Sequence, residues 1–174
     1  MNLVENDRLL VEAAQSDPAR FDELYERNFH RVYAYVVRRV GDRSQAEDLT
    51  AEVFREALAG ICKFEWRGVP FIAWLLRIAS RAIADHWQRS GRESGNPALD
   101  TDRPAPEEIE RTAMLFQLVD RLPKAQFRVI HMRFVEQKSI REIAGEMGRS
   151  EGAVKQLQLR AIENLRAQME GAHA

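Results

Sequence analysis

The sequence predicts an all-α protein: two small helical domains joined by a flexible linker, the C-terminal one carrying a helix-turn-helix. Three observations predict it. Apolar residues return at intervals of three and four through successive segments, the period of amphipathic helices. Ser90 to Pro106, SGRESGNPALDTDRPAP, has glycines, prolines and serines but no periodic apolar face, which reads as a flexible linker. Between two helix-period segments near the C-terminus stand Met147, Gly148, Arg149 and Ser150, where a glycine and a capping serine force a tight turn. The expected division is residues 1–90, a linker at 91–106, and 107–174.

Taken in order, Asp7 to Gln15 forms a first short helix, ended by Ser16, Asp17 and Pro18, with Asp17 able to cap the helix after it. Ala19 to Val40 is long and amphipathic, and Phe21, Tyr25, Phe29, Val32 and Val36 fall on one stripe that should face the core. Gly41 stops it, and Asp42 to Ser44 make a turn that caps the next helix. Gln45 to Ala59 buries Ala46, Leu49, Val53 and Ala57. Its other face carries Glu47, Asp48, Glu52, Arg55 and Glu56, an acidic surface that either is simply solvated or docks a partner.

Gly60 to Pro70, GICKFEWRGVP, is a loop by its glycines and proline, and unusually rich in aromatics and cations. Phe64 and Trp66 beside Lys63 and Arg67 are the combination that binds unpaired bases, rings stacking while cations hold phosphate. Either ring could instead tuck into the bundle. Phe71 to Arg89 is helical, with Phe71, Leu75, Ile78 and Ala82 inward and Trp74 alongside them. Arg77, Arg81, His86, Gln88 and Arg89 occupy its other sides with only Asp85 opposing, which suits a groove that follows phosphates.

After the linker, Glu107 to Leu122 is amphipathic through Ile109, Ala113, Phe116 and Val119, with Met114, Leu115 and Leu118 widening the buried face. The acidic cluster Asp100, Asp102, Glu107 and Glu108 lies at the linker's end, as charge at a helix start does. Pro123 opens the helix of Phe127, Ile130 and Phe134. On the next short helix Ile140, Ile143, Ala144 and Met147 make an apolar face. On the last, Val154, Leu157, Ala161 and Leu165 do, leaving Lys155, Gln156, Gln158, Leu159 and Arg160 outward. Arg149, Ser150, Glu151, Lys155 and Gln156 then sit at the end that a recognition helix pushes into a major groove. Arg and Lys serve phosphates or guanine edges there, and Gln can pair with adenine. The alternative is a three-helix bundle with solvated polar faces.

Composition sets the limits. The chain has 174 residues, 45% hydrophobic and 30% charged, enough for one or two small domains. A formal net charge of -1 gives no basic excess, so any DNA contact must come from local patches and free-standing affinity should be weak. The lone Cys62 excludes an internal disulfide and is compatible with the cytosol. No run of about 18 apolar residues exists and the N-terminus, MNLVENDRLL, lacks an apolar signal core, so the expected location is cytoplasmic. His30, His86, His131 and His173 are scattered without metal-ligand spacing, and neither a metal nor a cofactor is expected.

Together these residues resemble a bacterial RNA polymerase sigma factor of the extracytoplasmic-function group, in the sigma-70 family. The family's second region is matched by FDELYERNFHRVYAYV, by AEDLTAEVFREAL, and by the run from Phe64 through Arg67, Gly68 and Phe71 to Trp74, Leu75, Arg77, Ile78, Ala79 and Asp85. Its fourth region is matched by Leu122 and Pro123, by Arg133, Phe134 and Val135, by Glu142, Ile143 and Ala144, and by Gly152, Val154, Lys155, Arg160 and Ala161. The resemblance implies a dissociable subunit of RNA polymerase that directs transcription initiation, with core polymerase, promoter DNA and an anti-sigma factor or other regulatory partner. It implies that Asp48, Leu49, Glu52 and Phe54 dock on the polymerase clamp. Lys63, Phe64, Trp66 and Arg67 would hold an unstacked base of the −10 element, with Arg77, Arg81 and Arg89 following the strand. Arg149, Ser150, Glu151, Lys155, Gln156, Leu159 and Arg160 would read the −35 element as duplex.

Three other readings compete. A stand-alone helix-turn-helix regulator would bind duplex without polymerase, at a two-fold symmetric site. An enzyme acting on nucleic acid would need a carboxylate cluster for metal or a nucleophile with a base, and the acidic residues here form no such constellation. A protein that sequesters a polymerase surface would be indifferent to the loop aromatics.

Overall fold

The computed structural model describes residues 3–93, 95 and 103–171 of the chain. Its elements are helical throughout: α1 (Leu3–Ser16), a 3-10 turn (Pro18–Arg20), α2 (Phe21–Val40), α3 (Arg43–Gly60), a second 3-10 turn (Ile61–Lys63), α4 (Phe71–Glu93), α5 (Pro106–Asp120), α6 (Lys124–Phe134), α7 (Ile140–Met147) and α8 (Glu151–Gly171). No strand occurs among the described residues. The chain divides into two compact units, Met1–Ala113 and Met114–Ala174, and the division falls within α5.

Local chemistry accounts for the helix ends. Asp17 accepts a hydrogen bond from the Ala19 N–H and Asp42 from the Gln45 N–H, each satisfying an amide that its helix leaves unpaired. Gly41 closes α2 at φ 78°, a left-handed conformation that costs glycine little. α4 runs to Glu93, past the expected end at Arg89 and into the segment read as linker, and Gly91 on it is buried. Most of the remaining linker, with Asp100 and Asp102, lies outside the described residues, as does His173.

In the first unit α1 to α4 enclose one core, with Phe71, Leu24, Ile61, Ile72, Leu75, Leu76 and Ile78 among its largest fully buried side chains. The expected stripe of α2 holds at Phe21, Val32 and Val36, which are buried, and is corrected at Tyr25 and Phe29. Tyr25 is 40% exposed and Phe29 half-buried, while Leu24, Asn28, Val32, Tyr35 and Val36 point inward. Apolar residues cover more than one face of α2, so periodicity allowed two nearby stripes. The polar Asn28 sits on the inner one because its amide donates to the Leu24 carbonyl at 2.9 Å and is not left unpaired. Tyr35 reaches across to α4, its hydroxyl 2.8 Å from that of Ser80, and Arg39 lies 3.5 Å above the Tyr35 ring centroid.

The second unit has two adjoining clusters. Leu118 and Leu122 pack with Ile130, Ala161 and Leu165, and Val129, Met132, Ile143, Ala144 and Val154 form the other. Met114, expected inside, is 41% exposed. α5 presents apolar residues on too wide an arc for all of them to be covered. Gln126, also buried, receives a hydrogen bond from the Asn164 amide at 2.9 Å, tying α6 to α8.

Candidate nucleic-acid and partner surfaces

The helix-turn-helix is set by three backbone devices. Ser139 and Glu142 form a reciprocal capping box at the start of α7. The carboxylate of Glu142 accepts from the Ser139 N–H at 2.8 Å and from its hydroxyl at 2.7 Å, and these bonds hold its pKa below the ordinary glutamate value. Gly148 ends α7 at φ 61°, and Ser150 Oγ accepts from the Ala153 N–H at 3.1 Å to open α8. Ile143, Ala144 and Val154 are buried on both sides of the turn, which fixes the two helices against Val129 and Met132.

That packing decides what α8 shows to solvent. Arg149, Ser150, Glu151, Lys155, Gln156 and Arg160 are all exposed, and Leu159 is 49% exposed among them. Leu157 is half-buried against the core as expected, and Gln158 is half-buried where an outward position was expected. The free face therefore offers cations and amide groups of the kind that contact phosphates and base edges, with one apolar side chain of the kind that meets a thymine methyl.

In the first unit the loop between α3 and α4 is built around four rings. Phe64 lies 4.8 Å from Trp74, 5.5 Å from Phe71 and 6.2 Å from Trp66, centroid to centroid. Phe64 and Trp66 are both half-buried, so each ring has a packed side and an open one. Lys63 and Arg67 stand exposed beside them, and Gly68 turns the chain at φ 76°. Of the two uses left open for these aromatics, packing accounts for part of Phe64's surface, and the open sides leave room for stacking.

The arginines of α4 are less free than the sequence suggested. Arg81 pairs with Glu56 of α3 at 2.8 Å, and Arg77 with Glu110 of α5 at 3.2 Å. Arg89 is exposed and donates to the Asp85 carbonyl. The expectation that Asp85 alone opposes these cations is thus corrected: two carboxylates from other helices face them, which no reading of α4 by itself could find.

On α3, Asp48 is exposed and Glu52 half-buried, whereas Leu49 and Phe54 are 4% exposed. The last two anchor the helix rather than line its outer face. Phe54 supports a neighbouring aromatic strip that the sequence pattern placed in the core: its ring is 4.8 Å from Tyr25 and 6.3 Å from Phe29, which stacks on Tyr33. Leu58, 42% exposed, also lies on α3. The outer surface of α2 and α3 is thus part acidic and part aromatic.

A partly buried ion pair ties α1 to α2. Arg27 donates to the Asp7 carboxylate at 3.2 Å, and the Arg31 guanidinium adds its positive charge. Burial raises the Asp7 pKa more than these partners lower it. Among the described residues no group of three or more His, Cys, Asp and Glu could hold a metal ion, and no helix is long and apolar enough to cross a membrane.

Two helical modules, the second a helix-turn-helix with a polar, cation-bearing exposed face, give the architecture of the helix-turn-helix class. Residues 24–93 match the family described as Sigma-70 region 2, and residues 118–167 that described as Sigma-70, region 4. The chain is 39% identical to the ECF RNA polymerase sigma factor BldN of Streptomyces coelicolor, over 90% of this chain and 63% of that protein. It is 30% identical to the ECF RNA polymerase sigma factor SigX of Bacillus subtilis, over 86% of this chain and 84% of that one. A solved RsbN-BldN complex aligns at 34% identity, covering 91% of this chain and 98% of that one, with a TM-score of 0.41. The chain belongs to the extracytoplasmic-function group of the sigma-70 family of RNA polymerase sigma factors.

Proposed function

We propose that this chain is an alternative sigma factor that binds core RNA polymerase in the cytoplasm and directs it to promoters, reading −10 and −35 elements. Family membership supports the activity, and the exposed face of α8 from Arg149 to Arg160 is the observation that carries DNA reading. In this reading residues 1–90 dock on polymerase and engage the −10 element, residues 107–174 read the −35 element, and the segment at 91–106 connects them. Asp48 and Glu52 face the polymerase, with Leu49 and Phe54 holding their helix in place. Lys63, Phe64, Trp66 and Arg67 capture an unstacked base, and Arg77, Arg81 and Arg89 follow the strand. Arg149, Ser150, Glu151, Lys155, Gln156, Leu159 and Arg160 contact duplex. An anti-sigma factor that covers these faces belongs to the same reading.

The physical logic is one of shared scaffolding. Extruding a base costs a few kcal/mol, and stacking on an aromatic returns about 1 to 3 kcal/mol per base, so the gain is small for the free chain. A chain of net charge -1 also lacks the basic excess to hold DNA unaided. Fixing both modules on polymerase makes the second contact intramolecular and multiplies the two weak affinities. The chain itself supplies no reaction chemistry.

Run-off transcription with purified core polymerase and a promoter library tests the proposal. Start sites that appear only when the chain is added support it. Failure to associate with core polymerase, or association without any new start site, overturns it.

A further inference from the structure

The function proposed above uses the loop between α3 and α4 but leaves α1 without a role, and α1 precedes the stretch matched by the region 2 family, which begins at residue 24. Its contacts point to one. The Gln15 side-chain amide donates to two loop carbonyls, those of Ile61 at 3.0 Å and Phe64 at 2.8 Å. Eight residues earlier on the same helix, the buried Asp7 carboxylate accepts from the Arg27 guanidinium of α2 at 3.2 Å. Asp7, Val11 and Gln15 recur at intervals of four, so they share one face of the helix. Val11 between them is 2% exposed and Asp7 3%, which seats that face firmly in the core.

We infer that α1 is the positioning element of the aromatic loop, with Gln15 holding its entry so that Phe64 and Trp66 are presented in one conformation. The inference rests on the proposed use of that loop in capturing an unpaired base. Within the loop the backbone makes few bonds of its own: Phe64 N–H to the Ile61 carbonyl at one end and Ala73 N–H to the Pro70 carbonyl at the other. The conformation between these points therefore depends on what grips the loop from outside it. Gln15 takes hold of Phe64 at its carbonyl, immediately before the exposed Glu65 and the half-buried Trp66. Gln15 is a positioning residue, since it acts through the loop and not on the base.

The test uses the full chain with Gln15→Met, which keeps the length and removes the donor, and Gln15→Lys, which restores a donor. In the free protein, the indole N–H resonances of Trp66, Trp74 and Trp87 are followed by NMR. Shifts at Trp66 and Trp74, with Trp87 unmoved, are expected for Gln15→Met and should be smaller for Gln15→Lys. With core polymerase, Gln15→Met should form open complexes about tenfold less well on a duplex promoter, the scale of one or two lost hydrogen bonds. It should lose less on a template with a pre-formed bubble, and core association should stay within about twofold, as expected for a group that touches neither polymerase nor DNA. Unmoved Trp66 and Trp74 resonances would overturn the inference, as would open-complex formation equal to that of the parent chain. Should the parent chain itself fail to engage polymerase, the proposed function falls, and the NMR result alone decides whether α1 sets the loop. A Gln15→Met protein that does not fold transfers the same measurements to Gln15→Lys, for which parent-like resonances and opening support the requirement for a donor and their loss overturns it.

Discussion

Arg81 Nη2 lies 2.8 Å from Glu56 Oε1, so the cation proposed to follow the promoter strand is held by a carboxylate of the adjacent helix. Both side chains are about half exposed, and such pairs contribute little to stability. Their effect is on DNA instead: a phosphate must compete with Glu56 for the guanidinium. Glu56→Gln should therefore leave the thermal midpoint nearly unchanged and strengthen holoenzyme binding to opened promoter by roughly two- to fivefold at low salt, the scale of a surface ion pair. A binding titration across salt concentrations checks it, and weaker binding would remove Arg81 from the strand path.

Lys155 and Arg160 project from the exposed face of α8. Lys155→Ala and Arg160→Ala should each lower promoter affinity while core association holds. Where the lost contact is to a phosphate, the slope of log affinity against log salt should flatten by about 0.9 per contact. Loss of core association as well would point to misfolding.

Phe64 and Trp66 should separate in their effects. Phe64 touches three other rings, so Phe64→Ala should destabilise the protein by roughly 2 kcal/mol, below the about 3 to 5 kcal/mol of a fully buried Phe because this ring is half-buried. Trp66→Ala should cost less stability and impair promoter opening more than binding to closed duplex. Chemical denaturation and permanganate footprinting measure the two effects, and equal loss of opening and duplex binding would make Trp66 a packing residue only.

The capping box makes a pH-dependent contribution. Ser139→Ala should cost about 1 kcal/mol. The Glu142 carboxyl is held below its ordinary pKa of 4.5 by the Ser139 hydroxyl and N–H, so the unfolded chain binds its proton more readily than the folded one. The stabilisation is therefore complete above the unfolded value and is lost as pH falls through the depressed folded value. Glu142→Gln should lower the unfolding temperature at pH 7, and the gap from the parent should close progressively below about pH 4.5. A gap that does not change with pH would mean the carboxylate charge contributes nothing.

Asp48→Lys and Glu52→Lys should weaken association with core polymerase without altering the helical signal, because Asp48 is exposed and Glu52 half-buried. Leu49→Ala should instead act on stability, by about 2 to 4 kcal/mol, since Leu49 is 4% exposed. Unchanged polymerase binding by the lysine variants would move the docking surface elsewhere, with the Tyr25, Phe29 and Tyr33 strip the next to test.

What the sequence by itself determined was local. Helix period, the glycine at 148 with Ser150 two residues on, and the caps at Asp17 and Asp42 were legible because each depends on neighbours within about four residues. Most of the exposed face of α8 was legible too, since its apolar stripe is narrow, with Gln158 the exception. Tertiary structure decided the rest. Which stripe of α2 is inside depends on where α3 and α4 lie, as Tyr25 and Asn28 both demonstrate. The carboxylates facing Arg81 and Arg77 are 25 and 33 residues distant, and the amide gripping the Phe64 carbonyl is 49 away. Side chains that far apart in the chain meet only through packing, and a polar residue such as Gln15 carries no mark of its partner until the core brings the two together.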